Sequence, residues 1–152
     1  MRRLVLITLF PIMLFSEKVD IKADHFFADD IQKMVKFKGN SIIEQGSNIF
    51  KASEIIVYFN KKRKAKKYEA LGNVRFDITE NGVHYRGRAQ KIVYSPNSSK
   101  YLFYGDVVLE DLTNSRKIEA NRVSLDLKTG LADIKGKRSK PVHFIFEIED
   151  RR

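Results

Sequence analysis

Val35-Lys36-Phe37-Lys38-Gly39-Asn40-Ser41-Ile42-Ile43 is the stretch that decides the fold, because its pattern returns twice, as Tyr68-Glu69-Ala70-Leu71-Gly72-Asn73-Val74-Arg75-Phe76 and Tyr101-Leu102-Phe103-Tyr104-Gly105-Asp106-Val107-Val108-Leu109. The three glycines lie 33 residues apart. Apolar residues stand two and four positions before each glycine and, Ser41 excepted, two and four after it. Strand side chains alternate between faces, so this spacing keeps one face apolar straight through the glycine, which a helical period does not do. A repeat of about 20 to 50 residues marks supersecondary units that stack because none buries its apolar face alone.

A second element recurs between the glycines. Phe50-Lys51-Ala52 is followed by Ile55, Val57 and Phe59, Arg88-Ala89 by Ile92 and Tyr94, and Ile118-Glu119-Ala120 by Val123, Leu125 and Leu127. Each unit therefore supplies two or more strands, and the chain reads as all-β. Val19-Asp20-Ile21-Lys22-Ala23-Asp24 echoes this element without its first half. Ala132, Ile134 and Gly136 restart the first element, and Val142, Phe144, Phe146 and Ile148 alternate with His143, Ile145, Glu147 and Glu149 in a last strand that would leave or close an edge. At Ser41 two outcomes stay open: a polar notch, or a one-residue shift that turns Ile42 inward.

The first sixteen residues differ in kind. Arg2 and Arg3 precede a run from Leu4 to Phe15 interrupted only by Thr8 and Pro11, and Ser16-Glu17-Lys18 ends it. That run falls short of the roughly 20 apolar residues a membrane-spanning helix needs, so residues 1–16 are expected to be a secretory signal and residues 17–152 one domain. An uncleaved anchor or a hydrophobic first strand is the alternative.

The formal charge is +10, or +8 without Arg2 and Arg3, and no cysteine is present. Disulfide and thiol chemistry are thereby excluded, and an anionic partner is favoured. Six of the cations crowd into Lys61-Lys62-Arg63-Lys64-Ala65-Lys66-Lys67, expected to be a solvated, mobile loop, and a second basic stretch spans Lys135 to Lys140. Nucleic-acid binding would interleave aromatic with basic side chains on an exposed face, but Phe37, Phe50, Phe59, Phe76, Phe103 and Phe144 share the apolar parity. No catalytic constellation is legible. His25, His84 and His143 are far apart in sequence, none has a neighbour at metal-ligand spacing, and neither a nucleophile elbow nor a phosphate loop is present. No enzyme, metal or cofactor is expected.

The repeated Gly-Asn or Gly-Asp step, the Ala-x-x-(Ile/Val)-x-(Val/Leu) element and the closing Gly136-Lys137-Arg138 before an apolar strand together resemble the OstA-like family, over Val19 to Phe146. The resemblance implies an open, twisted antiparallel β-jellyroll built from repeated strand units. Its apolar inner face would accept the lipid A acyl chains of lipopolysaccharide during periplasmic transport between the two membranes. It also implies head-to-tail self-association by edge-strand pairing, here through Val19 to Ala23 and Val142 to Ile148, and docking to an LptC-like inner-membrane protein and an LptD-like outer-membrane protein. Val19 and Ile21 match the family's N-terminal strand. The remaining lipid-binding candidates are Ile43, Phe50, Ile55, Val57, Phe76, Ile92, Tyr94, Val107, Leu109, Val123, Leu125 and Phe144; they rest on parity, which does not separate a slot lining from plain core. The alternative function is a basic exported β-domain that binds another anionic partner, nucleic acid or a membrane surface.

Overall fold

The computed structural model describes residues 18–80, 82–126 and 128–148. The expected signal at 1–16 and Leu127 lie outside the described residues. Ten antiparallel strands form one sheet: β1 (Val19–Lys22), β2 (His25–Asp29), β3 (Met34–Gln45), β4 (Asn48–Phe59), β5 (Ala65–Glu80), β6 (Val83–Ser95), β7 (Lys100–Asp111), β8 (Arg116–Asp126), β9 (Leu131–Lys135) and β10 (His143–Phe146). From β3 to β8 each strand pairs with the next in sequence. β1 and β2 both pair with β3, and β9 and β10 both pair with β8, so each terminal strand is a strand broken into two halves. No ladder joins the first edge to the last among the described residues, and the sheet stays open.

The glycine repeat is a line of β-bulges. Between Lys38 and Ser41 on β3, Leu71 and Val74 on β5, and Tyr104 and Val107 on β7, one extra residue opposes the neighbouring strand. Both members of each pair sit in the left-handed region: Gly39 and Asn40 at φ 88° and 47°, Gly72 and Asn73 at 83° and 50°, Gly105 and Asp106 at 82° and 46°. Glycine tolerates that conformation, and Asn and Asp tolerate it better than other side chains. The glycines are also required by packing, since a Cβ on Gly72 would come within 2.6 Å of Ser53 Oγ. The partner strands absorb the surplus in their Ala-x-x-(Ile/Val) steps, where Ala52 and Ile55 both face inward although they stand three positions apart. Inward parity thus runs through the glycines, as the spacing predicts.

Lined up across the sheet, the bulges mark a crease. On the inner face the crease carries small side chains, Ser41, Ala52, Val74, Ala89 and Val107, all buried, because two inner surfaces converge there. Beyond it the strand halves form two leaves. Phe37, Ile55, Val57, Tyr68, Ala70, Ile92, Phe103 and Val123 face inward from one leaf, and Ile43, Phe50, Phe76 and Leu109 from the other; all belong to or pack on a single hydrophobic cluster. Ser41 is fully buried and donates its hydroxyl to the Phe37 carbonyl at 2.8 Å, while Ile43 stays inward at 2 % exposure. The polar notch is therefore internally satisfied, and no shift to Ile42 occurs.

Three expectations change. The lysine-rich loop is a tight exposed turn over residues 60–64, with the Asn60 side-chain oxygen accepting from the Lys62 and Lys64 amides. Lys66 and Lys67 already belong to β5, and the Lys67 ammonium reaches Glu69 at 3.3 Å and lies over the Tyr58 ring, so charge repulsion is relieved by alternation rather than by lengthening the loop. The first edge is not β1 alone, because His25–Asp29 carries its other half. The last edge is likewise divided, with β10 spanning only His143–Phe146 and β9 supplying the rest.

Candidate lipid-binding cleft

Between the leaves lies a cleft of about 480 Å³ with mostly apolar walls. One leaf contributes Ile55, Tyr68, Ala70, Ile92, Tyr94, Tyr101, Phe103 and Leu125; the other contributes Phe50, Phe76, Ile78, Tyr85, Leu109, Ile118 and Phe144. The Phe76 and Phe103 rings meet from opposite leaves with centroids 6.4 Å apart. Phe76 spreads over Gly87, where a Cβ would meet the ring at 2.6 Å; the missing side chain on β6 lets an aromatic floor form. Tyr94 stacks on Tyr101 at 4.3 Å, and Tyr101 on Phe103 at 6.1 Å, which gives the first leaf a continuous aromatic wall. Burial, and secondarily the neighbouring Tyr94, push the Tyr68 phenol above its ordinary range, so it remains neutral.

At the mouth the charges are already matched. Arg116 bonds Asp111 at 2.5 Å there, and on the outer face of the same strands Arg86 meets Glu110 at 3.2 Å and Lys117 meets Glu119 at 3.3 Å. The Arg116 guanidinium, with Asn114 beside it, holds the Asp111 carboxyl down to about 2. Each mouth cation therefore has a carboxylate partner, and the dominant resource of the cleft is apolar area. No cluster of metal-ligating side chains is present among the described residues.

Of the sequence-derived candidates, Phe50, Ile55, Phe76, Ile92, Tyr94, Leu109, Leu125 and Phe144 are brought together in the cleft wall. Ile43, Val57, Val107 and Val123 are packed behind it, each 2 % exposed or less. Ile21 packs against the core from β1, opposite Ile43, and the Val19 backbone pairs with Gln45 at the sheet edge. Tyr68, Tyr101 and Phe103, which the sequence places on the apolar parity, line the cleft as well, although they are not among the lipid-binding candidates. Sequence reading missed Ile78, Tyr85 and Ile118, which the same count reaches one step beyond Phe76, Gly87 and Ala120. The Asp111–Arg116 pair has no sequence signal, since a five-residue separation across a hairpin turn is not a pattern that stands out.

A single open sheet folded over an apolar cleft, with unpaired edges at both ends among the described residues, defines an open β-jellyroll. The family described as "LptA/(LptD N-terminal domain) LPS transport protein" matches residues 20–131, and the chain belongs to it. It is a family of non-enzymatic lipopolysaccharide carriers, and the chain's role lies in lipopolysaccharide transport. The fold is similar to that of LptH, the LptA-homologous periplasmic component of the lipopolysaccharide transport device from Pseudomonas aeruginosa, with a TM-score of 0.69 at 10 % identity over 87 % of this chain and 96 % of that one. A search of curated proteins by sequence gives no match.

Proposed function

We propose that this protein holds lipopolysaccharide by its lipid A acyl chains in the cleft between the leaves, in the periplasm, and bridges the inner and outer membranes by pairing its edges with like domains. The observation that carries this reading is the cleft itself: apolar, aromatic-walled, and open because the first and last strands do not pair among the described residues. Each acyl methylene moved from water into such a wall contributes about 0.8 kcal/mol, so several chains outweigh any polar contact the neutralised mouth offers. The periplasmic setting of the LptA homologue supports the location. Exposed Phe144, Ile145 and Phe146 on β10 support strand addition at that end, to a second copy or to LptC-like and LptD-like jellyrolls, because an unpaired apolar edge is stabilised by an incoming strand.

A photocrosslinking residue at Phe76 or Leu109 is expected to capture lipopolysaccharide, whereas one at Lys38, on the outer face, is not. Capture at Lys38 with none at Phe76 and Leu109 would remove the cleft from the mechanism. The lipid-driven interaction is also expected to persist at high salt, because acyl burial, unlike phosphate binding, is not screened.

A further inference from the structure

Two adjacent cross-strand rows on the outer face treat charge in opposite ways. In one, Asp77, Arg86, Glu110 and Lys117 stand directly opposite one another on β5 to β8, and their signs alternate. In the next, Lys51, Arg75 and Arg88 stand directly opposite one another on β4, β5 and β6. All three are exposed, and none forms an ion pair among the described residues. Like charges directly opposed in a ladder destabilise it, and the alternating row shows that the same sheet accommodates the complementary arrangement.

A polar cavity of about 310 Å³ opens beside this row, walled by Arg75, Arg88, Asn73, Gln90, Asp106 and Lys140. Lys140 comes from another part of the chain. Phe103 and Leu109, six positions apart in sequence, oppose Val123 and Ile118 on β8, whereas Ile134 and Phe144, which oppose the same pair, are ten positions apart. The last strand thus holds a four-residue insertion, folded into a small hairpin in which Lys137 and Lys140 exchange backbone hydrogen bonds at 2.8 and 3.0 Å. Gly136 makes the fold-back possible, because a Cβ there would meet the Lys140 to Val142 backbone at 2.6 to 2.8 Å. Glu119, the other carboxylate at the cavity, is engaged by Lys117 and His143, which leaves Asp106 as the one uncommitted negative group against three cations.

We propose that this outer cavity is a binding site for a phosphorylated saccharide. Arg75, Arg88 and Lys140 would clamp the phosphate, Lys51 would extend the positive field, and the Asn73 and Gln90 amides with the Asp106 carboxylate would take sugar hydroxyls. Arginine matches phosphate in a bidentate fork, and Arg75 and Arg88 from paired strands share one cavity with Lys140 of the inserted hairpin. The site lies on the opposite side of the sheet from the acyl cleft and does not rest on that reading.

The test uses glucose 1-phosphate as probe, with inorganic phosphate and glucose as comparisons, followed by amide shifts and by calorimetry at low salt. Glucose 1-phosphate is expected to bind more tightly than either comparison and to move amides at 75, 88 and 140. Arg75→Gln combined with Arg88→Gln is expected to weaken it by about tenfold or more. The same variant is expected to melt at a higher temperature than the parent without ligand, because it removes an opposed pair of like charges; a purely structural role predicts a lower one. Binding unchanged in the variant, shifts confined to the 60–64 turn, or equal affinity for inorganic phosphate and glucose 1-phosphate would each overturn the proposal. Lipopolysaccharide crosslinking at Phe76 is expected to be unaffected in the variant, which keeps a failure here distinct from a failure of the acyl cleft.

Discussion

The crease and the mouth of the cleft are built from the same alternating strands and have opposite properties. At the crease the inner side chains are Ser41, Ala52, Val74, Ala89 and Val107, none more than 6 % exposed. At the mouth they are Tyr85, Tyr94, Tyr101, Ile78 and Leu125, arranged around open space. The difference teaches that small residues close a folded sheet at its spine, and that large residues a few positions further out hold its leaves apart. Stability is concentrated where the inner surfaces touch, and ligand capacity where they do not.

The largest expected effect is at the spine. Val74→Asp places an unpaired charge at a position with no exposure and is expected to cost at least about 3 kcal/mol, read as a fall in the denaturation midpoint. A stable variant would mean that the crease admits water. Next is Gly72→Val, which forces a branched side chain into the left-handed region and against Ser53; about 2 kcal/mol is expected, and a loss near zero would show that the bulge can be ironed out. At the mouth, Tyr94→Leu, which keeps apolar bulk and removes the ring stack, is expected to lose only about 1 kcal/mol of stability, while lipopolysaccharide capture falls several-fold. Loss of both in proportion would erase the contrast between spine and mouth.

The smallest effect is electrostatic and confined to acid. Asp111 ordinarily titrates at 3.8 and is held at about 2 by Arg116 and then Asn114. Because the folded value is the lower one, the contribution is complete above 3.8 and is lost as pH falls through about 2. Arg116→Ala is expected to flatten the dependence of melting temperature on pH across that window. A slope identical to the parent's would show that the pair does not anchor the β7–β8 turn.

Much of this was legible in the sequence. Period-two alternation through Gly39, Gly72 and Gly105 revealed the strands and the inward face, because the bulge preserves parity on the glycine-bearing strand. Eight of the fourteen candidate positions line the cleft for the same reason. Ile43, Val57, Val107 and Val123 do not, since parity reports which face a side chain is on and not how far it stands from the crease. The broken edges were harder to see. Phe26 follows Ala23 at the same interval that separates Ile55 from Ala52, yet the stretch between reads as a strand end. The lysine run misled through its net charge, because Asn60 and Glu69, which organise and neutralise it, lie just outside it. Register between rows was invisible as well, and only paired strands reveal that Lys51, Arg75 and Arg88 share one line.

The bulge line has a consequence for how such a protein can change size. Every Gly-Asn or Gly-Asp unit crosses the crease with the same one-residue surplus and returns the chain in the same orientation. Excising one 33-residue period between Gly39 and Gly72 would remove two strands, keep both terminal rims and leave the bend in place. Gene duplication or loss of this module could therefore widen or narrow the trough in discrete steps, making cargo capacity a matter of copy number instead of point substitution.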